Sequence, residues 1–269
     1  MKIFEFIPEG TTDCKVTAWI HTKYKVREIA DCMRPAMIIC PGGGYGCIAD
    51  IEAEPVAMSY YAAGYNTFVL QYSVGSNAKN FKPLCQLAST ILHVRKYAED
   101  WMIEQDKIAV SGFSAGGHLA GSSGTLIHTE EFKKAFGREG EICPNAMVLG
   151  YPVITADEYA HVWSMERVSG HPIGSIEYAW FGLDNHVHEL TPPTFLWHTA
   201  TDASVPVENS LKMAVALSRA KIPFELHVLP EGAHGMSVCT EEVGAFCKYN
   251  GRWVEWSIQW LNKLFDFRG

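Results

Sequence analysis

Six short, mainly apolar runs constrain this chain most: 36–40, 67–70, 108–110, 146–149, 195–197 and 224–229. Runs of that length with little alternation suit strands buried on both faces. The segments between them carry a helical period. Leu84, Leu87, Ala88, Ile91 and Leu92 recur on one helix face, and Leu211, Ala214, Val215 and Leu217 mark another expected helix. Trp253, Trp256, Trp260 and Leu264 predict a closing helix packed through its tryptophans, and further helices are expected at 54–63 and beyond Gly116. Strands alternating with amphipathic helices imply an α/β protein, with a mostly parallel sheet covered on both sides. Right-handed crossovers then put reactive groups at the carboxyl ends of the strands. The pieces at 2–6 and 14–20 are expected to form an antiparallel edge. No repeat or linker divides the chain, so 1–269 reads as a single domain. The segment 152–193, rich in Pro, His and aromatic residues, shows no clear period and is expected to be a cap or lid insertion over the active face.

Composition narrows the classes of function. With 48% hydrophobic and 19% charged residues a large core is available, which excludes a disordered chain. Thirty acidic against 22 basic residues give a net charge of −8 and no basic run, so nucleic acid is excluded as a partner. Glu5, Pro8 and Glu9 interrupt the start where a secretory peptide needs an apolar core, and no stretch approaches the roughly 20 apolar residues of a membrane span. The expectation is a cytoplasmic protein with no membrane partner. Eight scattered cysteines without a C-x-x-C pair read as reduced thiols serving as small buried hydrophobes. His186 and His188 lack a third ligand, so neither a metal nor any other cofactor is expected.

The chemistry lies in glycine turns and strand ends. Gly112-Phe113-Ser114-Ala115-Gly116 fits G-x-S-x-G between an expected strand, 107–111, and an apolar helix. Small flanking residues allow the sharp turn that lifts a serine hydroxyl to the top of the sheet, while the helix start offers free N–H groups. Pro41-Gly42-Gly43-Gly44-Tyr45 ends an earlier strand and suits an oxyanion hole built from Gly43, Gly44 and Ala115. No Lys-Ser or Lys-Thr follows it, which argues against a phosphate loop. A serine nucleophile needs a base, and the base an orienting acid. Asp202 follows the strand at 194–199 and His234 follows the next, giving the order Ser114, Asp202, His234. Asp157, Asp184 and Glu231 are rival acids. His118 suits a structural role and His198 a satisfied core position. The aromatic-rich set Tyr159, Trp163, Met165, Tyr178, Trp180 and Phe181 divides between core and substrate pocket.

These motifs, with Glu54-Pro55-Val56-Ala57, 198–210 and 230–235, resemble the α/β-hydrolase superfamily along essentially the whole chain. More narrowly the chain is similar to the carbohydrate-esterase branch related to acetyl xylan and feruloyl esterases. Pro41 stands where lipase-like relatives have histidine before the glycine run. The resemblance implies an α/β-hydrolase fold and serine-dependent hydrolysis of small acyl esters, with acetyl groups on sugars or oligosaccharides as the expected small-molecule substrate. Oligomeric state is left open. One alternative is a peptidase of the prolyl-oligopeptidase kind, against which 269 residues leave no room for an N-terminal propeller. Another is a hydrolase-fold binding protein without catalysis, against which all three triad candidates are present.

Overall fold

The computed structural model describes residues 1–22 and 33–268. Its strands are β1 (Lys2–Phe6), β2 (Lys15–Ile20), β3 (Arg34–Cys40), β4 (Asn66–Gln71), β5 (Ile103–Phe113), β6 (Ala146–Gly150), β7 (Thr194–Thr199) and β8 (Phe224–Leu229). They form one sheet in the order β1-β2-β4-β3-β5-β6-β7-β8. From β4 onward every neighbouring pair is parallel, while β1 pairs with β2 and β2 with β4 antiparallel. The order places β3 and β5 at the centre, and β6 is buried along its whole length. That burial is why the inner strands read as apolar runs, whereas the edge strand β8 is largely unburied and alternates in sequence.

The helices are α1 (Glu54–Ala62), α2 (Lys82–Lys96), α3 (Ala115–Thr125), α4 (Glu130–Phe136), α5 (Val162–Ser169), α6 (Ile176–Trp180), α7 (Glu208–Arg219) and α8 (Arg252–Leu264). Two apolar clusters flank the sheet. One joins Leu87, Ile91, Leu119, Leu149, Met213 and Leu217; the other joins Val56, Tyr60, Phe195, Trp197, Trp253 and Leu261. Trp253 is fully buried and stacks on Trp197 with ring centroids 4.9 Å apart, the packing expected of it, while the buried line of α8 runs on through Ser257 and Leu261 and leaves Leu264 exposed. No helix among the described residues is long and apolar enough to cross a membrane.

Three features differ from the expectations. The segment 152–193 contains α5 and α6, helices of eight and five residues that are too short to display a period. β5 begins at Ile103, ahead of the expected 107, a start the apolar pattern misses because the first half is polar and half-exposed, with Lys107 and Glu104 paired at 2.7 Å. Among the seven described cysteines, all free, only Cys14, Cys40 and Cys239 are buried; Cys47 is exposed on the turn after the glycine loop. Cys32 lies outside the described residues.

Candidate active site

Ser114 occupies the single position between β5 and α3, with φ 53° and ψ −121°. A non-glycine residue at such dihedrals is strained, and the surroundings enforce it. The elbow presses against β3 so closely that a Cβ on Gly116 would stand 2.0 Å from the Cys40 carbonyl oxygen. The Ser114 N–H donates to Gly150 O at 3.1 Å, and its carbonyl accepts from Val153 N at 3.0 Å, fixing the turn to the end of β6.

The three residues picked from strand ends meet. Ser114 Oγ lies 2.8 Å from His234 Nε2, and His234 Nδ1 lies 2.7 Å from Asp202 Oδ2. With Nδ1–H donating to the carboxylate, Nε2 is left as the acceptor of the serine proton. Asp202 Oδ1 accepts from Ser204 N at 2.9 Å and Val205 N at 3.0 Å, which sets the carboxylate plane. Burial pushes the Asp202 carboxyl up. Hydrogen bonds from His198 and His234, the attraction of His234 and the Val205 N–H outweigh it and hold the carboxyl well below the usual carboxylate range.

His198 was expected as a satisfied core residue, and it is fully buried with Nδ1 2.8 Å from Ser210 Oγ and Nε2 2.9 Å from Val205 O. Nε2 therefore carries the proton, and it also lies 3.4 Å from Asp202 Oδ2. His118 is structural: Nε2 donates to Phe181 O at 3.0 Å and Nδ1 accepts from Tyr45 Oη at 2.9 Å, joining the glycine loop to the segment before β7. Burial draws its pKa down to about 4. The rival acids stand apart from the imidazole: Asp157 pairs with Lys212, Glu231 is exposed, and Asp184 has a buried oxygen without a partner. His186 Nε2 donates to Trp180 O at 2.6 Å, and His188 meets His128 edge-on at 5.0 Å. No cluster of three metal-ligating side chains occurs among the described residues.

The glycine loop faces the serine. Gly43 has φ 115° and Gly44 φ 62°. Among the described residues the N–H groups of Gly43 and Gly44 make no hydrogen bond, whereas Gly42 N donates to Glu52 Oε2 at 2.7 Å. Ala115, as the first residue of α3, likewise has a free N–H. Above the loop sits α5. Trp163, 55% exposed, has its ring against Gly44, and the Arg167 guanidinium stacks on that ring at 3.5 Å from its centroid. Met165, Tyr178 and Phe181 are buried, as expected of the core part of the aromatic-rich segment.

Two residues at the site escaped the sequence reading. Glu52 is 2% exposed and accepts from Tyr151 Oη at 2.6 Å as well as from Gly42 N. Tyr151, the residue after β6, also brings its ring to 5.0 Å from that of His234. The only available signal for Tyr151 was its place directly past a strand end.

Residues 87–265, more than half of the chain and the stretch holding Ser114, Asp202 and His234, match the prolyl oligopeptidase family. Endo-1,4-beta-xylanase B of Butyrivibrio fibrisolvens is 37% identical over 217 residues, 79% of this chain and 34% of that protein. Acetylxylan esterase of Xylanibacter ruminicola is 27% identical over 240 residues, 85% of this chain and 45% of that protein. The chain thus spans less than half the length of these curated relatives. Among solved structures, an acetyl ester-xyloside bifunctional hydrolase from Caldicellulosiruptor lactoaceticus is 33% identical with a TM-score of 0.82, covering 98% of this chain and 92% of the other. The carboxylesterase Cest-2923 from Lactobacillus plantarum WCFS1 is 26% identical with a TM-score of 0.87, covering all of both chains. The serine elbow and the parallel strands β5 to β8 fall within the matched stretch, and the chain belongs to the prolyl oligopeptidase family of α/β-hydrolases.

Proposed function

We propose that this chain is a serine carboxylic-ester hydrolase that removes short acyl groups, chiefly acetyl, from sugars or oligosaccharides through an acyl-enzyme. The observation that carries the reading is the array Ser114 Oγ, His234 Nε2 and Nδ1, Asp202 Oδ2, at 2.8 and 2.7 Å, opposite a loop with unengaged N–H groups. Ser114 attacks the ester carbonyl while His234 takes its proton, and Asp202 stabilises the imidazolium. The N–H groups of Gly43, Gly44 and Ala115 receive the oxyanion, each worth on the order of 3 kcal/mol of barrier. His234 then returns the proton to the leaving alcohol, and water, deprotonated by the same imidazole, releases the acid. The sugar assignment draws on the acetyl- and xylan-directed names of the relatives and on Trp163, an exposed ring beside Gly44 on which the apolar face of a sugar can lie. The segment 152–193, which carries that tryptophan, serves as the cap.

A fluorophosphonate probe tests the nucleophile: labelling and ester turnover in the native protein, both lost in a folded Ser114→Ala variant, are expected. Labelling that persists without Ser114 refutes the mechanism. The family match favours a second reading, cleavage of proline-containing amides. A panel of short and long acyl nitrophenyl esters, acetylated xylo-oligosaccharides and prolyl amides decides between them. Preference for amides or long acyl chains overturns the sugar-acetate assignment.

A further inference from the structure

The peptide unit joining Pro41 to Gly42 is gripped at both polar ends by buried side chains. Tyr72 Oη donates to Pro41 O at 2.6 Å, and Gly42 N donates to Glu52 Oε2 at 2.7 Å. The next two carbonyls are also committed. Gly42 O accepts from Ala49 N at 3.1 Å, and Gly43 O accepts from Gly46 N at 2.9 Å and Cys47 N at 3.1 Å. Peptide units are planar and trans, so the N–H of a unit points opposite to its carbonyl. Fixing the carbonyls of Gly42 and Gly43 therefore aims the N–H groups of Gly43 and Gly44, the two proposed oxyanion donors. The unit that anchors this series is the one Glu52 holds.

The other carboxylate oxygen reaches across the site. Tyr151 Oη donates to Glu52 Oε1 at 2.6 Å and accepts from Ser237 N at 2.9 Å, while Ser237 Oγ donates to Ile51 O at 2.5 Å. Ser237 lies three residues past His234. One carboxylate thus links the loop after β3, the end of β6 and the loop that carries the imidazole. We propose that Glu52 is a positioning residue for the hydrolytic reaction, clamping the oxyanion loop to the histidine loop through Gly42 and Tyr151.

Proton counting says why an acid stands there. Gly42 N–H and the single proton of Tyr151 both point at Glu52, and a lone pair of Tyr151 takes the Ser237 N–H. Both Glu52 oxygens must therefore accept, as those of a carboxylate can and the NH2 of an amide cannot. Glutamine has nearly the same shape but puts an NH2 against one of those donors. The volume is conserved and the clamp is broken.

The proposal rests on Ser114 as nucleophile, and the experiment separates the two. Glu52→Gln and Tyr151→Phe are compared with the native protein by kcat per serine titrated with fluorophosphonate, by KM for nitrophenyl acetate, and by affinity for a boronic acid whose tetrahedral adduct fills the oxyanion position. The expected result for Glu52→Gln is a kcat per titrated site lower on the order of 10²-fold, the scale of losing one aligned oxyanion donor. Boronate affinity falls with it, and KM stays within about threefold. Tyr151→Phe is expected to show the same pattern. A kcat per titrated site within about threefold of native, with only the titratable fraction or Tm reduced, overturns the proposal and leaves Glu52 a core residue. Turnover surviving in Ser114→Ala overturns the underlying mechanism instead, whatever Glu52 does.

Discussion

Asp202→Asn tests the histidine's tautomer, and the structure dictates which way the amide turns. Asp202 Oδ1 accepts from two backbone N–H groups, Ser204 and Val205 at 2.9 and 3.0 Å. An asparagine must keep its carbonyl oxygen there, because an NH2 facing two N–H donors would leave three buried donors unsatisfied. The NH2 then falls at the Oδ2 position, 2.7 Å from His234 Nδ1. Two donors cannot share that contact, so the ring moves its proton to Nε2 and Nδ1 becomes the acceptor. Nε2–H now faces Ser114 Oγ and takes no proton from it. An acid-to-amide change of this kind lowers kcat about ten-thousand-fold, or about 5.5 kcal/mol of barrier, with the geometry intact. The assay is kcat for nitrophenyl acetate together with a melting curve for the variant. Retention of more than about a tenth of native kcat in a folded protein would refute the tautomer argument and point to another acid.

Two further outcomes are expected. His118 is fully buried and neutral in the folded chain down to about pH 4, whereas the unfolded chain binds its proton near pH 6.5. The stability it contributes is present above 6.5 and drains as pH falls toward 4, by about 3 kcal/mol, so His118→Gln should flatten the decline of Tm over that window; an unchanged slope refutes the assignment. Removing the platform in Trp163→Ala should raise KM for acetylated xylo-oligosaccharides about fivefold, a loss near 1 kcal/mol, and by more than it raises KM for nitrophenyl acetate; equal effects on both substrates would mean that the ring does not touch the sugar.

The inner strands were legible because burial on both faces writes them as apolar runs, and β6, buried at every position, is the plainest case. The first half of β5 was not, since Glu104 to Lys107 reach solvent beyond the covered part of the sheet. α4 went unread although its signals are present: Thr129 Oγ1 accepts from Phe132 N, and Gly137 closes the helix at φ 61°. Seven residues give too few turns for a period, so capping residues were the only trace. α5 and α6 hid within 152–193 for the same reason, with Gly170 at φ 75° ending one and Ser175 capping the other.

Within the site, what could be read depended on how each residue acts. Ser114, Asp202 and His234 follow β5, β7 and β8, and small turn-forming neighbours mark each of them. In the sheet order β6 lies between β5 and β7, so the residue leaving β6 must fill the gap behind the imidazole. Tyr151 does so, with its ring against His234 and its hydroxyl on Glu52. Neither residue sits in a pattern, because a side chain that works by holding main-chain N–H groups constrains its partner's backbone and not its own neighbours. The constraint surfaces at Gly42, where a Cβ would stand 2.6 Å from Glu52 Oε2 and 2.8 Å from Phe113 O. The glycine run thus carried two messages. Gly43 and Gly44 turn the chain at positive φ and leave their N–H groups unengaged, while Gly42 marks the place where a carboxylate presses against the loop from behind.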